Sequence, residues 1–213
     1  MAQPLVPELL RAHLAELASR DQRADGRGQW EGRELSVEVG VLDRAEGSAR
    51  VQMGDTIVFC GIKFQLQTPY PDRPDEGGLM TSAELRPLAG RHIEPGPPSP
   101  ESIEIGRVVD RGIRESGCIN TKDLCIIPGE KVWQVIIDCF AISDDGNLFD
   151  AFGLAAIAAL HNATLPGERF DVGEDRKLPI NKTPIMCSFQ KVGGRFVYDS
   201  NREEEVGGDE RIH

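Results

Sequence analysis

Long apolar runs are missing from this 213-residue sequence. No stretch approaches the ~20 apolar residues that a membrane-spanning helix requires. The first 20 residues also lack the apolar block and cleavage site of a secretory signal. With 39% hydrophobic residues, the chain has enough apolar side chains for a core. We therefore expect a cytoplasmic protein with a single domain over residues 1–213 and no membrane partner.

Metal-ligand and nucleotide-binding motifs are missing as well. The five cysteines form no CxxC pair, and the four histidines have no ligand at a metal-binding spacing. Neither GxxxxGK[ST], GxGxxG nor a nucleophile elbow occurs. The sequence therefore predicts no disulfide, no metal site and no cofactor.

Positive charge is scarce, since 24 lysines and arginines face 35 aspartates and glutamates and the formal net charge is -11. A chain this acidic is not expected to wrap a nucleic-acid duplex by bulk charge. A local basic stripe can still act within a larger assembly. The location of the arginines therefore matters more than their number.

Three arginines line up in the segment RVVDRGIRES, which begins at Arg107. Arg107, Arg111 and Arg114 follow the spacing i, i+4, i+7, so they share one face of a helix. Val109 and Ile113 fall on the opposite face. Two interpretations remain open: a solvated face neutralised by its acidic neighbours, or a track for the phosphates of a nucleic acid.

Hydrophobic periodicity divides the chain into strands and helices. Strict alternation predicts a half-buried strand at residues 35–41, and glycine turns predict hairpins at Gly54-Asp55, Gly129 and Gly193-Gly194. Helical spacing predicts an N-terminal helix within residues 1–20, over residues 5–19.

Two further helices are indicated by their ends. Ser99 is a candidate N-cap for the arginine helix, and Gly117 can close it. An Ala- and Leu-rich, buried helix follows the sequence DDGN at residues 144–147.

The grouping of strands and helices indicates an α+β fold. Residues 200–213 are expected to form an acidic tail.

Aspartates cluster near the start of that second helix, at positions 138, 144, 145 and 150. Paired carboxylates can perform acid–base or metal chemistry. Alternatively, Asp144 or Asp145 simply caps the helix. Asp199, followed by Glu203, Glu204 and Glu205, presents the same choice between an acidic site and a solvated turn.

From about residue 20 to about residue 200, the chain resembles the RNase PH family. The similar segments are RADGRG, EGSARVQMGDTIVFCGIK, PYPDRPDEGGLMTSAEL, EPGPPSPESIEIGRVVDRGIRES, LCIIPGEKVWQVIIDCFAISDDGNLFDA and LPINKTPIMCSFQKV. Within the family it is similar to the non-catalytic ring subunits of archaeal exosomes, through EPGPP, RVVDR and DGNLFDA. The resemblance implies an RNase PH-like fold, also described as ribosomal protein S5 domain 2-like, that is short at its C-terminus.

The resemblance also implies a function. Active members degrade RNA from its 3′ end by phosphorolysis, and a Gly-Gly-Thr/Ser-Arg stretch at a helix start binds the phosphate. Here Leu148 and Phe149 replace the hydroxyl and the guanidinium. The resemblance therefore implies no catalytic residues in this chain and RNA contacts through Arg107 and Arg111. Arg114 is a third candidate because it lies on the same helical face one turn further on, although the family motif does not include it.

The implied partners are a catalytic paralogue, arranged with this chain as three heterodimers in a hexameric ring, RNA-binding cap subunits and single-stranded RNA. Two alternatives stay open. The chain could be a self-sufficient phosphorolytic exoribonuclease, or it could be a purely structural ring spacer that never touches RNA.

Overall fold

The computed structural model describes residues 8–213. Helix α1 spans Glu8–Ser19, so the predicted N-terminal helix is confirmed from residue 8, and its expected first residues lie outside the described part. Among residues 8–213, no helix combines the length and the apolar character needed to cross a bilayer.

A six-stranded sheet forms the centre of the fold. Its strands are β1 Leu35–Val39, β2 Gly47–Met53, β3 Thr56–Gln67, β4 Gly78–Glu84, β5 Cys125–Ile127 and β6 Lys131–Ser143. The strand order is β1-β2-β3-β6-β4, with β5 added on β6. All pairs are antiparallel except β4 with β6. The turn at Gly54 has φ 57°, a left-handed conformation that glycine adopts without steric cost.

Two helices, α2 over Pro100–Ser116 and α3 over Leu148–Asn162, pack on one face of this sheet. Ser99 caps α2 through its side chain, and Gly117 closes it at φ 69°, as the sequence predicts. Helix α3 is buried along most of its length, and Phe152 and Leu160 are fully enclosed in the core. These two helices and the sheet confirm the α+β fold.

The last third of the chain adds shorter elements. They are β7 Thr164–Leu165, β8 Arg176–Lys177, β9 Phe189–Val192, β10 Arg195–Tyr198, α4 Arg202–Gly207 and β11 Glu210–Ile212, with 3₁₀ turns at Thr121–Leu124 and Glu168–Phe170. Strands β7 and β8 pair with each other, and a separate sheet runs β10-β9-β11. Helix α1 packs against this sheet through Leu14 and Ala18, which contact Val192 and Val197.

The expectation of a half-buried first strand is wrong. Leu35, Val37 and Val39 point to the core side of the sheet, yet 43% to 56% of each side chain remains exposed. These side chains remain exposed because β1 is the edge strand of the sheet and α3 covers mainly β2 and β3.

The expectation of an acidic tail is also wrong, because residues 202–207 and 210–212 form α4 and β11. Asn201 and Glu204 cap α4 reciprocally in a capping box. Glu204 is also the buried partner of Arg23, at 2.6 Å and 2.8 Å. The remaining N–H groups of Arg23 reach the carbonyl oxygens of Glu31, Tyr198 and Asp199.

Replacing Arg23 should therefore destabilise the chain strongly. Both side chains of the Arg23–Glu204 pair are at most 3% exposed, and breaking a buried pair leaves an uncompensated charge that costs about 3–5 kcal/mol. Arg23→Ala should lower the free energy of unfolding, measured in urea, by that amount. Arg20→Ala is the matched control, because the exposed Arg20–Glu16 pair contributes about 0–1 kcal/mol. Equal losses for the two variants would mean that the buried pair matters no more to stability than the exposed one.

Candidate functional site

Arg107 and Arg111 lie exposed on α2, while Val109 and Ile113 on the opposite side are buried in the core. The predicted arginine face is thus present on a helix that is anchored from behind. Of the three arginines, Arg114 alone forms an ion pair within residues 8–213. Within residues 8–213, an acidic side chain therefore pairs with Arg114 but not with Arg107 or Arg111.

Arg114 is held by the protein itself. Its guanidinium donates two hydrogen bonds to Asp110, at 3.0 Å and 3.1 Å, and one to the carbonyl oxygen of Leu79, at 3.0 Å. The Thr81 hydroxyl also donates to Asp110 at 3.1 Å. Arg114 therefore ties α2 to β4, and Arg107 and Arg111 remain as the arginines available to a ligand.

The second candidate, Asp199, is buried in a network of donors. Arg33 contacts its carboxylate with Nη2 at 2.7 Å, Nε at 3.0 Å and the backbone N–H at 2.7 Å. Arg27 and Asn147 add hydrogen bonds at 3.0 Å and 2.8 Å. Burial by itself would raise the pKa of Asp199, but these donors, Arg33 foremost, lower the pKa to about 2. The carboxylate is ionised and fully occupied by protein donors.

The aspartates do not form the shared acidic site that their spacing suggests. Asp150 is buried and accepts hydrogen bonds from Ser188, at 2.7 Å and 2.9 Å, and from Asn147 at 3.1 Å. Burial raises the pKa of Asp150. Asp138 lies apart on β6, exposed, and accepts from the Ser82 hydroxyl. Over the described residues, 8–213, no group of three metal-ligating side chains is found.

The start of α3 differs from the expectation that an aspartate caps it. Asn147 occupies the N-cap position with φ 54° and makes no side-chain cap hydrogen bond. Asp144 instead accepts the N–H of Gly146 at 2.9 Å. Gly146 and Asn147 are both left-handed, at φ 85° and 54°, and they separate Asp144 and Asp145 from the first turn of the helix.

Apolar side chains and a carboxylate fill the space around this helix start. Leu148 and Phe149 are 3% and 1% exposed. The Asn147 N–H donates to Glu205 at 2.9 Å, and the Arg211 guanidinium lies 4.5 Å above the Phe149 ring. The Asn147 N–H at this helix start is thus already engaged by a carboxylate of the protein and is not free to hold a small anion.

The sequence did not predict the partners of Asp199. Arg27 and Arg33 come from a loop that looks simply Gly- and charge-rich, and they lie 172 and 166 residues from Asp199. The alternation of arginine and glycine in RADGRGQWEGR was the available signal, because arginines in a glycine-rich loop can fold inward onto a buried acid.

Comparison with known proteins supports the resemblance. Residues 31–166 match domain 1 of RNase PH, the 3′ exoribonuclease family. The exosome complex component Rrp42 of Methanocella arvoryzae is 47% identical over 205 residues, which are 96% of this chain and 79% of that protein.

Two solved structures share the fold closely. One is an Archaeoglobus fulgidus exosome with RNA bound to the active site, with a TM-score of 0.92 and 48% identity over 97% of this chain and 81% of that one. The other is an archaeal exosome core, with a TM-score of 0.87 and 44% identity over 97% and 79%.

Asp199 should give the protein a specific response to acid. Its pKa falls from an ordinary 3.8 to about 2 on folding, so its ionised form stabilises the fold above about pH 4. That stabilisation, about 2 kcal/mol, is lost as the pH falls through 2. Urea unfolding of the wild type should therefore lose about that much more stability between pH 5 and pH 2 than Asp199→Asn does. Parallel pH profiles for the two proteins would refute the assignment.

Proposed function

Because the chain belongs to the RNase PH, or 3′ exoribonuclease, family, we propose that it is a non-catalytic ring subunit of an archaeal-type exosome. The single observation that carries this proposal is the occupied helix start: apolar side chains and an internal carboxylate stand where a phosphate would have to bind. The relatives named as exosome components support the assignment to that assembly.

Catalysis by this chain alone is disfavoured by its chemistry. Phosphorolysis needs a cradle for the phosphate dianion and a carboxylate near the scissile bond. Leu148 and Phe149 are buried and offer no side-chain donor. Asp199 is enclosed by Arg27 and Arg33 and is not free to exchange protons. These features argue against a self-sufficient exoribonuclease, and the activity then resides in the partner subunit.

RNA contact through α2 is the second part of the proposal. Arg107 and Arg111 are one helical turn apart, about 6 Å, which matches neighbouring phosphates of a single strand. Both are exposed and neither is engaged by an acidic side chain of residues 8–213. Each guanidinium can hold one phosphate through two hydrogen bonds. Arg114 contributes less, because Asp110 holds it. This exposed pair argues against a purely structural spacer.

In the proposed assembly, this chain and a catalytic paralogue form three heterodimers in a hexameric ring. This chain completes the ring and helps to shape the active site of the paralogue. Cap subunits that bind RNA and single-stranded RNA itself are the further partners. We also propose that the complex is cytoplasmic.

The RNA contacts are tested by Arg107→Ala/Arg111→Ala in a ring reconstituted with the catalytic subunit, its composition verified by native mass spectrometry. Binding should weaken about equally for RNAs of different sequence, because the contacts reach the backbone and not the bases. The slope of log K against log salt should flatten by roughly one to two units, at ~0.7 per lost phosphate contact.

The matched control is Arg20→Ala/Arg195→Ala, which removes the same charge from two exposed positions elsewhere. It should leave the affinity and the salt slope unchanged. If the α2 double variant behaves like this control, the arginines form only a solvated face.

A further inference from the structure

A carboxylate of the protein occupies the anion position at the start of α3. The free N–H groups and the dipole of a helix N-terminus attract anions. In this chain the Glu205 carboxylate accepts the Asn147 N–H at 2.9 Å, and its side chain is only 7% exposed. The anion that the helix would otherwise draw from solution is therefore already present.

Two arginines converge on the same carboxylate. Arg211 lies 3.3 Å from Oε1, and Glu205 is its only ion-pair partner within the described chain. Arg202 lies 3.6 Å from Oε2 and is shared with Glu101 and Asp144. A helix N–H and two guanidinium groups around one carboxylate resemble the donor set of a phosphate site.

Glu205 is not needed to begin its own helix. Asn201 and Glu204 form the capping box of α4, and Glu203 is exposed to solvent. Of the three consecutive glutamates, Glu205 is the one directed at another helix. Burial raises the pKa of Glu205, while Arg211 opposes this effect. Burying the carboxylate therefore costs solvation free energy.

We infer that Glu205 is a tethered anion that keeps small oxyanions out of the α3 N-terminus, and that its removal opens this position to inorganic phosphate. The inference rests on the proposed function, in which this chain does not bind phosphate for catalysis. It goes further by assigning the exclusion to one residue, in addition to the apolar replacements at Leu148 and Phe149.

The test compares Glu205→Ala with the wild type in sodium phosphate and in sodium chloride of equal ionic strength and pH. With phosphate several-fold above its Kd, the melting temperature of the variant should rise by roughly 2–4 °C relative to chloride. The wild type and the matched control Glu203→Ala should show no difference between the two salts. Adding Arg211→Ala to Glu205→Ala should abolish the phosphate effect.

If Glu205→Ala melts at the same temperature in both salts, Glu205 is only a structural cap and the inference is wrong. Should Glu205→Ala fail to fold, Glu205→Ser provides the same comparison, because its short side chain also leaves the position of the carboxylate open. The RNA-binding test uses arginines on α2, so a failure of one experiment is distinguishable from a failure of the other.

Discussion

The buried carboxylate of Asp199 is the interaction on which the rest of the structure depends. It stands at the end of β10 in a left-handed conformation, φ 50°, and binds Arg27 and Arg33 from the loop after α1 and Asn147 at the start of α3. Three segments far apart in the sequence therefore meet at one charge. An ionised group can remain buried only when donors satisfy it in this way.

The burial of the Asp199 carboxylate also explains why this chain is proposed to contact RNA without catalysing its degradation. An acid that is fully hydrogen-bonded to arginines stabilises the fold but does not take up and release protons near neutral pH, because its pKa is about 2. The same region carries the buried side chains of Leu148 and Phe149, which offer no donor to a phosphate. The residues around this helix start therefore serve folding, and the proposal assigns contact with RNA to the exposed Arg107 and Arg111.

Local patterns made much of the fold predictable. The turns at Gly54 and Gly193 and the caps Ser99 and Gly117 depend on residues a few positions apart, and each prediction is confirmed. The arginine face was predictable for the same reason. The exposure of β1 was not, because it depends on how far α3 reaches across the sheet. The acidic tail was mispredicted because Glu204 finds its partner, Arg23, 181 residues away. A charged residue looks solvated in the sequence until its distant partner is known.

Nucleoside diphosphate release from a poly(A) oligonucleotide, measured with the purified chain in the presence of phosphate, would show whether this subunit is catalytic. We expect no product from this chain alone, and product when the catalytic paralogue is added. Sustained phosphorolysis by the paralogue-free protein would contradict the proposed function, since the helix start beside Glu205 would then have to accept phosphate.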